Sequence, residues 1–337
     1  MKGHVGKIYS YWATAVAGLE EVAREEMREV VKGVRLEHIE KGRDYTRIFF
    51  NYERSPQALL SLRSVDSVYA TLTSISGITV GGPGVERIKN QLAKVDMGVA
   101  KRLALSLDAS VAVDCAQINA TVQGRHRFRA AELVKEVQHV FATQHGIGGI
   151  ATGQRCLHLQ IQVKGRSAIL GMRLSAADRQ PNHAMAYCLG HLLGLDPGDQ
   201  VLWLRRDGTE ADELRQAFGA DVWVGLPTNG KNTVAVTGGF YVEKFHIPIL
   251  DAMCSHVLVN LRASDSVAIL PELARILPFG GIAVVEVETP EPFVAALRGH
   301  AFDITAALPV QSRGRKRILF VLERLPEEDL LQVELGV

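Results

Sequence analysis

The sequence predicts a mixed chain, with an α+β N-terminal half followed by an α/β C-terminal half whose mostly parallel sheet closes in an antiparallel hairpin. Three observations carry this. Up to residue 174, alternating β-type runs are interleaved with amphipathic helices. From residue 183, helices alternate with short, continuously apolar strands, the pattern of βαβ units whose sheet is covered on both faces. The last two strand-like runs are separated only by a loop and should pair as a hairpin.

Residues 8–16 are strand-like, and Leu19, Val22, Ala23, Met27 and Val30 then recur at helical spacing among Glu and Arg. Strand-like runs at 34–39 and 45–50 face each other across Lys41-Gly-Arg-Asp44, and Pro56 opens a short helix ending near Arg63. This βαββα order is half open and incomplete as a domain. A second unit starts with the β-rich run 67–80, turns through residues 81–84 and continues as a helical stretch over 85–107. A strand over 109–119 follows, then a helix marked by Leu133, Val134, Val137, Val140 and Phe141 and ended by glycines 146–149. Residues 157–163 and 168–174 alternate as an antiparallel pair turning near Gly165, and 175–182 form a linker. In the C-terminal half the expected strands are 201–204, 222–225, 257–260, 282–287, 302–310 and 317–322.

The chain has 337 residues, 47% hydrophobic and 22% charged, enough for two or three cores and unlike disordered, collagenous or coiled-coil chains. Its 38 Lys+Arg against 37 Asp+Glu conceal an uneven distribution: residues 101–180 hold 11 cations and 5 acids, residues 181–337 hold 13 and 20. A cationic middle gains free energy by displacing counterions from a polyanion, although a solvated charged face would have the same composition. Cys115, Cys156, Cys188 and Cys254 form no C-x-x-C pair, so no zinc site or disulfide scaffold is expected. No stretch approaches about 18 apolar residues and the first twenty lack a signal-peptide pattern, so a cytoplasmic protein without membrane contact is expected.

Three stretches carry a family resemblance. Residues 11–27, Tyr-Trp-Ala-Thr-Ala-Val-Ala-Gly-Leu-Glu-Glu-Val-Ala-Arg-Glu-Glu-Met, run from an aromatic strand into a G-L-E helix with a later E-E pair. Residues 123–133, Gln-Gly-Arg-His-Arg-Phe-Arg-Ala-Ala-Glu-Leu, match R-x-x-H-x-F-x-S-x-E-L in part, and 157–174 form a closing hairpin before a helix near Pro181. In this order they resemble the THUMP-containing tRNA guanine-N2 methyltransferases over essentially the whole chain. The resemblance implies a ferredoxin-like domain (1–65), a THUMP RNA-binding domain (66–174), a linker (175–182) and a Rossmann-like class I methyltransferase domain (183–337). It implies tRNA as partner, held at its acceptor end by the THUMP domain, with methyl transfer from S-adenosylmethionine to a guanosine N2. The candidate RNA-binding residues are Lys101, Arg102, Arg125, His126, Arg127, Arg129, Lys164 and Arg166, cations on loops or helix starts that can follow a phosphate backbone.

The methyl-donor signatures depart from the family pattern. Where the family has D-P-x-C-G-x-G-T after the first strand of the domain, residues 201–209 read Val-Leu-Trp-Leu-Arg-Arg-Asp-Gly-Thr, one residue short. Trp203 replaces the leading Asp, and Asp207, Gly208 and Thr209 are the remaining cofactor-binding candidates. The acid expected to hold the ribose diol at the end of the second strand falls near Leu226, while Asp221 opens that strand at the wrong end. In place of [N/D]-P-P-[F/Y] at the fourth strand stands Asn260 without the prolines or aromatic ring, the one catalytic candidate. Residues 270–281 regain the family's helix and Gly-Gly turn.

Glycines 146–153 follow a helix and precede a strand, the reverse polarity of a dinucleotide loop. Cys188 and His191 lack a third metal ligand, and Arg313, Arg315, Lys316 and Arg317 at the terminal hairpin either reach RNA or solvate an edge. Two functions therefore stand: a tRNA methyltransferase, or a non-catalytic RNA-binding or assembly module on a pseudo-methyltransferase scaffold. A protein partner and homo-oligomerisation are left open.

Overall fold

A computed structural model describes residues 9–42, 45–149, 155–174, 182–205, 210–227, 239–242, 247, 249–260, 263–312 and 314–326. The first half builds one sheet. Strand β1 (Ser10–Val16) leads into helix α1 (Glu20–Val30), strands β2 (Arg35–Lys41) and β3 (Tyr45–Asn51) form the expected hairpin, and a 3-10 turn opens at Pro56. Strand β4 (Val65–Ser76) pairs with β1 on one side and, on the other, with a strand from much later in the chain. That sharing closes the half-open βαββα unit. The helical stretch expected over 85–107 is two helices, α2 (Gly82–Leu92) and α3 (Met97–Leu107), because the Asp96 side chain accepts a hydrogen bond from the Gly98 N–H and restarts the helix.

Strand β5 (Ala112–Gln123), helix α4 (Ala130–His145) and the hairpin β6 (Cys156–Lys164) and β7 (Ser167–Arg173) complete a seven-stranded sheet of order β2-β3-β1-β4-β7-β6-β5. Helix α4 starts where Glu132 accepts from the Arg129 N–H at 3.0 Å and stops at left-handed Gly146. Gly148 makes a single parallel bridge to Cys115, which lays this end of the glycine cluster against β5; residues 150–153 lie outside the described residues.

The second half comprises α5 (His183–Leu193), β8 (Gln200–Arg205), α6 (Ala211–Phe218), β9 (Asp221–Pro227), β10 (Gly239–Val242) and β11 (His256–Asn260). It continues through α7 (Ala263–Ala268), α8 (Leu270–Ile276), β12 (Ile282–Val287) and α9 (Pro290–Leu297) to the hairpin β13 (Phe302–Ser312) and β14 (Arg315–Arg324). The sheet order is β10-β9-β8-β11-β12-β14-β13, with every strand running the same way except β14, which pairs antiparallel with β12 and β13. The short β10 has no counterpart among the expected strands. Order reverses between β8 and β11, which makes the carboxyl ends of these strands the place where an open α/β sheet binds ligands.

The two halves pack as one body. Val16, Leu19 and Val22 share a buried cluster with Ala186, Leu189, Trp203 and Val310. The buried Glu26 of α1 accepts from the backbone N–H groups of Arg63 and Ser64 at 2.7 and 2.8 Å, fixing the start of β4 against α5, where His183 Nε2 meets the Val65 carbonyl at 3.1 Å. Between β1 and β13, the Gln311 N–H donates to the Ala17 carbonyl at 3.0 Å. Beside this bond Gly18 has φ +97°, and a Cβ placed there would lie 2.0 Å from the Pro309 carbonyl oxygen. Only glycine tolerates both the left-handed backbone and that approach. Gly18→Ala should therefore lower stability by about 3 kcal/mol, read as a reduced midpoint in urea denaturation; an unchanged midpoint would contradict the junction described.

Candidate functional site

Six of the eight candidate RNA-binding residues gather at one end of the first sheet. Gly165 N–H donates to the Gln123 carbonyl at 3.0 Å, Arg127 N–H to that of Val80 at 2.7 Å, and Ile78 N–H to that of Arg166 at 2.9 Å. These bonds tie the loop after β5, the entrance to α2 and the β6–β7 turn into one loop cluster carrying Arg125, Arg127, Arg129, Lys164 and Arg166, all exposed. Among the described residues no carboxylate pairs within 4 Å with the guanidinium of Arg125, Arg127, Arg129 or Arg166, whereas Lys164 Nζ is 3.6 Å from Glu40 Oε2. His126 is partly buried against Phe128, with ring centroids 4.9 Å apart, and both of its ring nitrogens are buried without a hydrogen-bond partner. Lys101 and Arg102 sit elsewhere, on α3, which feeds the opposite end of β5.

At the carboxyl edge of the second sheet, Asn260 ends β11 beside β12. Its Nδ2 donates to Glu286 Oε2, and Arg317 of β14 donates to Glu286 Oε1. Because the amide nitrogen is held by Glu286, Oδ1 is the end of the side chain left to accept a hydrogen bond. Arg317 also lies 3.4 Å from Glu288, which Arg315 approaches at 3.6 Å. The antiparallel register, Val287 opposite Ile318, brings the basic end of the terminal hairpin to the same edge as Asn260. Arg313 lies outside the described residues.

Asp207, Gly208 and Thr209 also lie outside the described residues. Trp203 is 1% exposed in the core that includes Ala186 of α5 and Leu214 of α6, so it points into the protein mid-strand and does not plug the carboxyl edge. On β9, Gly225 is level with Leu204 and the next residue is Leu226, while Asp221 is level with Gln200 at the amino end. The described end of β9 thus offers no carboxylate to a ribose diol. The open α/β sheet offers the edge that the resemblance implies for S-adenosylmethionine, and its described residues lack the acid implied for the ribose.

A cleft of about 640 Å³ separates these two regions, its lining including Lys41, Thr46, Glu288, Gln311, Lys316 and Arg317. Lys41 Nζ pairs with Glu20 at 2.9 Å and Gly18 N–H donates to Glu20 at 2.8 Å. Burial raises the affinity of the Glu20 carboxyl for its proton, yet the Lys41 ammonium and the backbone N–H donors together hold it below the usual carboxylate value.

All four cysteines are buried and free, with burial pushing the Cys254 thiol up to about 11 and Cys188 higher still. His191 faces Glu25 at 3.2 Å, and among the described residues no group of three His, Cys, Asp or Glu side chains could hold a metal. No described helix is long and apolar enough to cross a membrane. Glu286, Glu20 and Lys41 were not among the sequence candidates. Glu286 had a legible signal, a carboxylate inside the apolar run Ile-Ala-Val-Val-Glu-Val of a strand expected to be covered on both faces.

Two outcomes check this electrostatic frame. Glu286→Ala, which leaves the Arg317 guanidinium with Glu288 alone and releases the Asn260 amide, should cost about 2 kcal/mol and Glu286→Gln about 1 kcal/mol in denaturant titrations; equal, negligible losses would contradict the shared carboxylate. Glu20 has a lowered pKa in the folded state, so its stabilisation is full above the ordinary glutamate range and is lost as pH falls through the lowered value. Glu20→Gln should accordingly flatten the acid limb of a stability-against-pH curve, and a parallel curve would remove this assignment.

No family model and no curated protein matches the sequence. Solved structures do. The chain superposes on TrmN from Thermus thermophilus with a TM-score of 0.68 at 19% identity, covering 94% of this chain and 99% of that one. "A possible methylase from Clostridium difficile 630" gives 0.62 at 9% identity over 95% and 99%. SMU.472, solved in complex with SAH, gives 0.61 at 13% identity over 95% and 99%. The chain has a Rossmann-like methyltransferase fold behind an N-terminal α+β half, an arrangement shared from end to end with these proteins.

Proposed function

We propose that this chain is a tRNA-binding protein of the THUMP type, with residues 1–174 holding the RNA and the methyltransferase-fold half presenting its carboxyl edge to it. The observation that carries the reading is the loop cluster of Arg125, Arg127, Arg129, Lys164 and Arg166, five exposed cations on two of three tied loops. Such groups gain affinity by releasing counterions from phosphates, and loops bring them within reach of a curved backbone. The acceptor end of tRNA is the segment that the resemblance assigns to this module, and the fold shared with TrmN over both halves accords with that resemblance. Lys101 and Arg102, on another element, would contribute only general attraction.

A second reading, methylation of the bound RNA, is supported by Asn260. Its held amide leaves Oδ1 to accept an exocyclic amino hydrogen of a guanine, a positioning role suited to N2 transfer. S-adenosylmethionine would supply the methyl group. The leucine at the end of β9 supports the scaffold reading instead, because a hydrocarbon side chain cannot accept hydrogen bonds from the donor's ribose.

Five phosphate contacts predict that tRNA affinity falls roughly 500-fold between 50 and 200 mM salt. Arg125→Ala and Arg166→Ala should each weaken binding and lower the salt slope by about one, measured by fluorescence anisotropy. Salt-independent affinity would overturn the RNA-binding reading. Calorimetric titration with S-adenosylmethionine separates the other two: no heat at millimolar donor leaves the scaffold, whereas saturable heat restores the enzyme.

A further inference from the structure

The cleft between the halves lies on a continuous line from the loop cluster to Asn260. At one side, Lys164 of the loop cluster reaches Glu40 at 3.6 Å, and Glu40 also binds Arg47, which bonds to Gln162 beneath that same cluster. Glu40 and Lys41 are neighbours in β2 and face opposite sides of its sheet, so the end of the β2–β3 hairpin is the lip between the cluster and the cleft. At the other side, Arg317 lines the cleft and shares Glu286 with Asn260. The steps from Arg166 to Lys41 and from Arg317 to Asn260 are through residues close in the chain or in direct contact, and the cleft spans the gap between Lys41 and Arg317.

The lining suits one nucleotide of a single strand. Lys41 and Lys316 stand on walls from different halves; Lys316 is exposed and, among the described residues, has no acid within 4 Å. Pro290 and Pro309 supply apolar surface for a base, while Glu288 and Gln311 supply acceptors for its amino hydrogens. The volume, about 640 Å³, lies within the 300–1,000 Å³ range of small-ligand pockets. The walls cannot spread freely, because the Ala17–Gln311 hydrogen bond and the Gly18–Pro309 contact join them.

Resting on the RNA-binding reading, we infer that this junction cleft is a binding subsite for single-stranded RNA, taking a nucleotide of the strand that runs from the loop cluster to Asn260. Its phosphate meets Lys41 and Lys316, and the base lies against the prolines. The strand arrives at the carboxyl edge already held on both sides of the junction.

The test uses the full-length protein, a tRNA transcript and a twelve-nucleotide oligouridylate. Lys316→Glu should weaken both RNAs about tenfold and lower the salt slope by about one or two, while Lys94→Glu, the same charge change at the far end of α2, should change affinity less than twofold. Ultraviolet crosslinking to 4-thiouridine in the oligonucleotide should label peptides containing 309–318 in the wild type and not in Lys316→Glu. If Arg125→Ala loses affinity but Lys316→Glu behaves as Lys94→Glu and the crosslinks fall elsewhere, the subsite is wrong and the RNA-binding reading stands. If wild type binds neither RNA, both are wrong.

Discussion

The carbonyl oxygen of Pro309 occupies the space that a side chain on residue 18 would need, and the arrangement of the molecule depends on that approach. It sets the β1–α1 turn directly on strand β13, lets the Ala17 carbonyl take the Gln311 N–H, and brings Leu19 and Val22 into the core of the second half. A larger residue would lever the first sheet away from the second. The cations of the loop cluster and the carboxyl edge of the methyltransferase-fold sheet would then no longer face a common path.

Glu286 plays a comparable part at smaller scale. A carboxylate in an otherwise apolar strand would be costly without partners, and it has two, the Asn260 amide and the Arg317 guanidinium. One side chain thus fixes which end of the amide is available and anchors the basic hairpin end at the same edge. Lys316, next in sequence to Arg317, is thereby placed at the cleft.

Much of the architecture was legible because hydrophobic period and turn chemistry are local. The β2–β3 hairpin, the Gly146 stop of α4 and the βαβ alternation after residue 183 follow from neighbouring residues alone. The division of 85–107 into two helices turned on a single Asp96 cap, which periodicity does not register. The pairing of β4 with both β1 and β7 is a long-range choice, invisible in any local window. Arg125 to Arg129, Lys164 and Arg166 were readable as cations, but their union needed the backbone bonds from Val80, Gln123 and Arg166. Charge type did not reveal that Lys101 and Arg102 belong to another element. Trp203 was legible as a departure from the donor motif; only its direction in β8 shows that it fills the core and not the cofactor edge.

On the proposed reading, these relations make the two halves a single surface for one strand of RNA. Hydrogen–deuterium exchange of the full chain, with and without saturating tRNA, tests that claim most directly, since it reports each region in the same sample. Slowed exchange in three segments together, 123–129, 164–168 and 309–318, is the predicted result. Slowing confined to the first two, with 309–318 exchanging as in the free protein, would contradict the account.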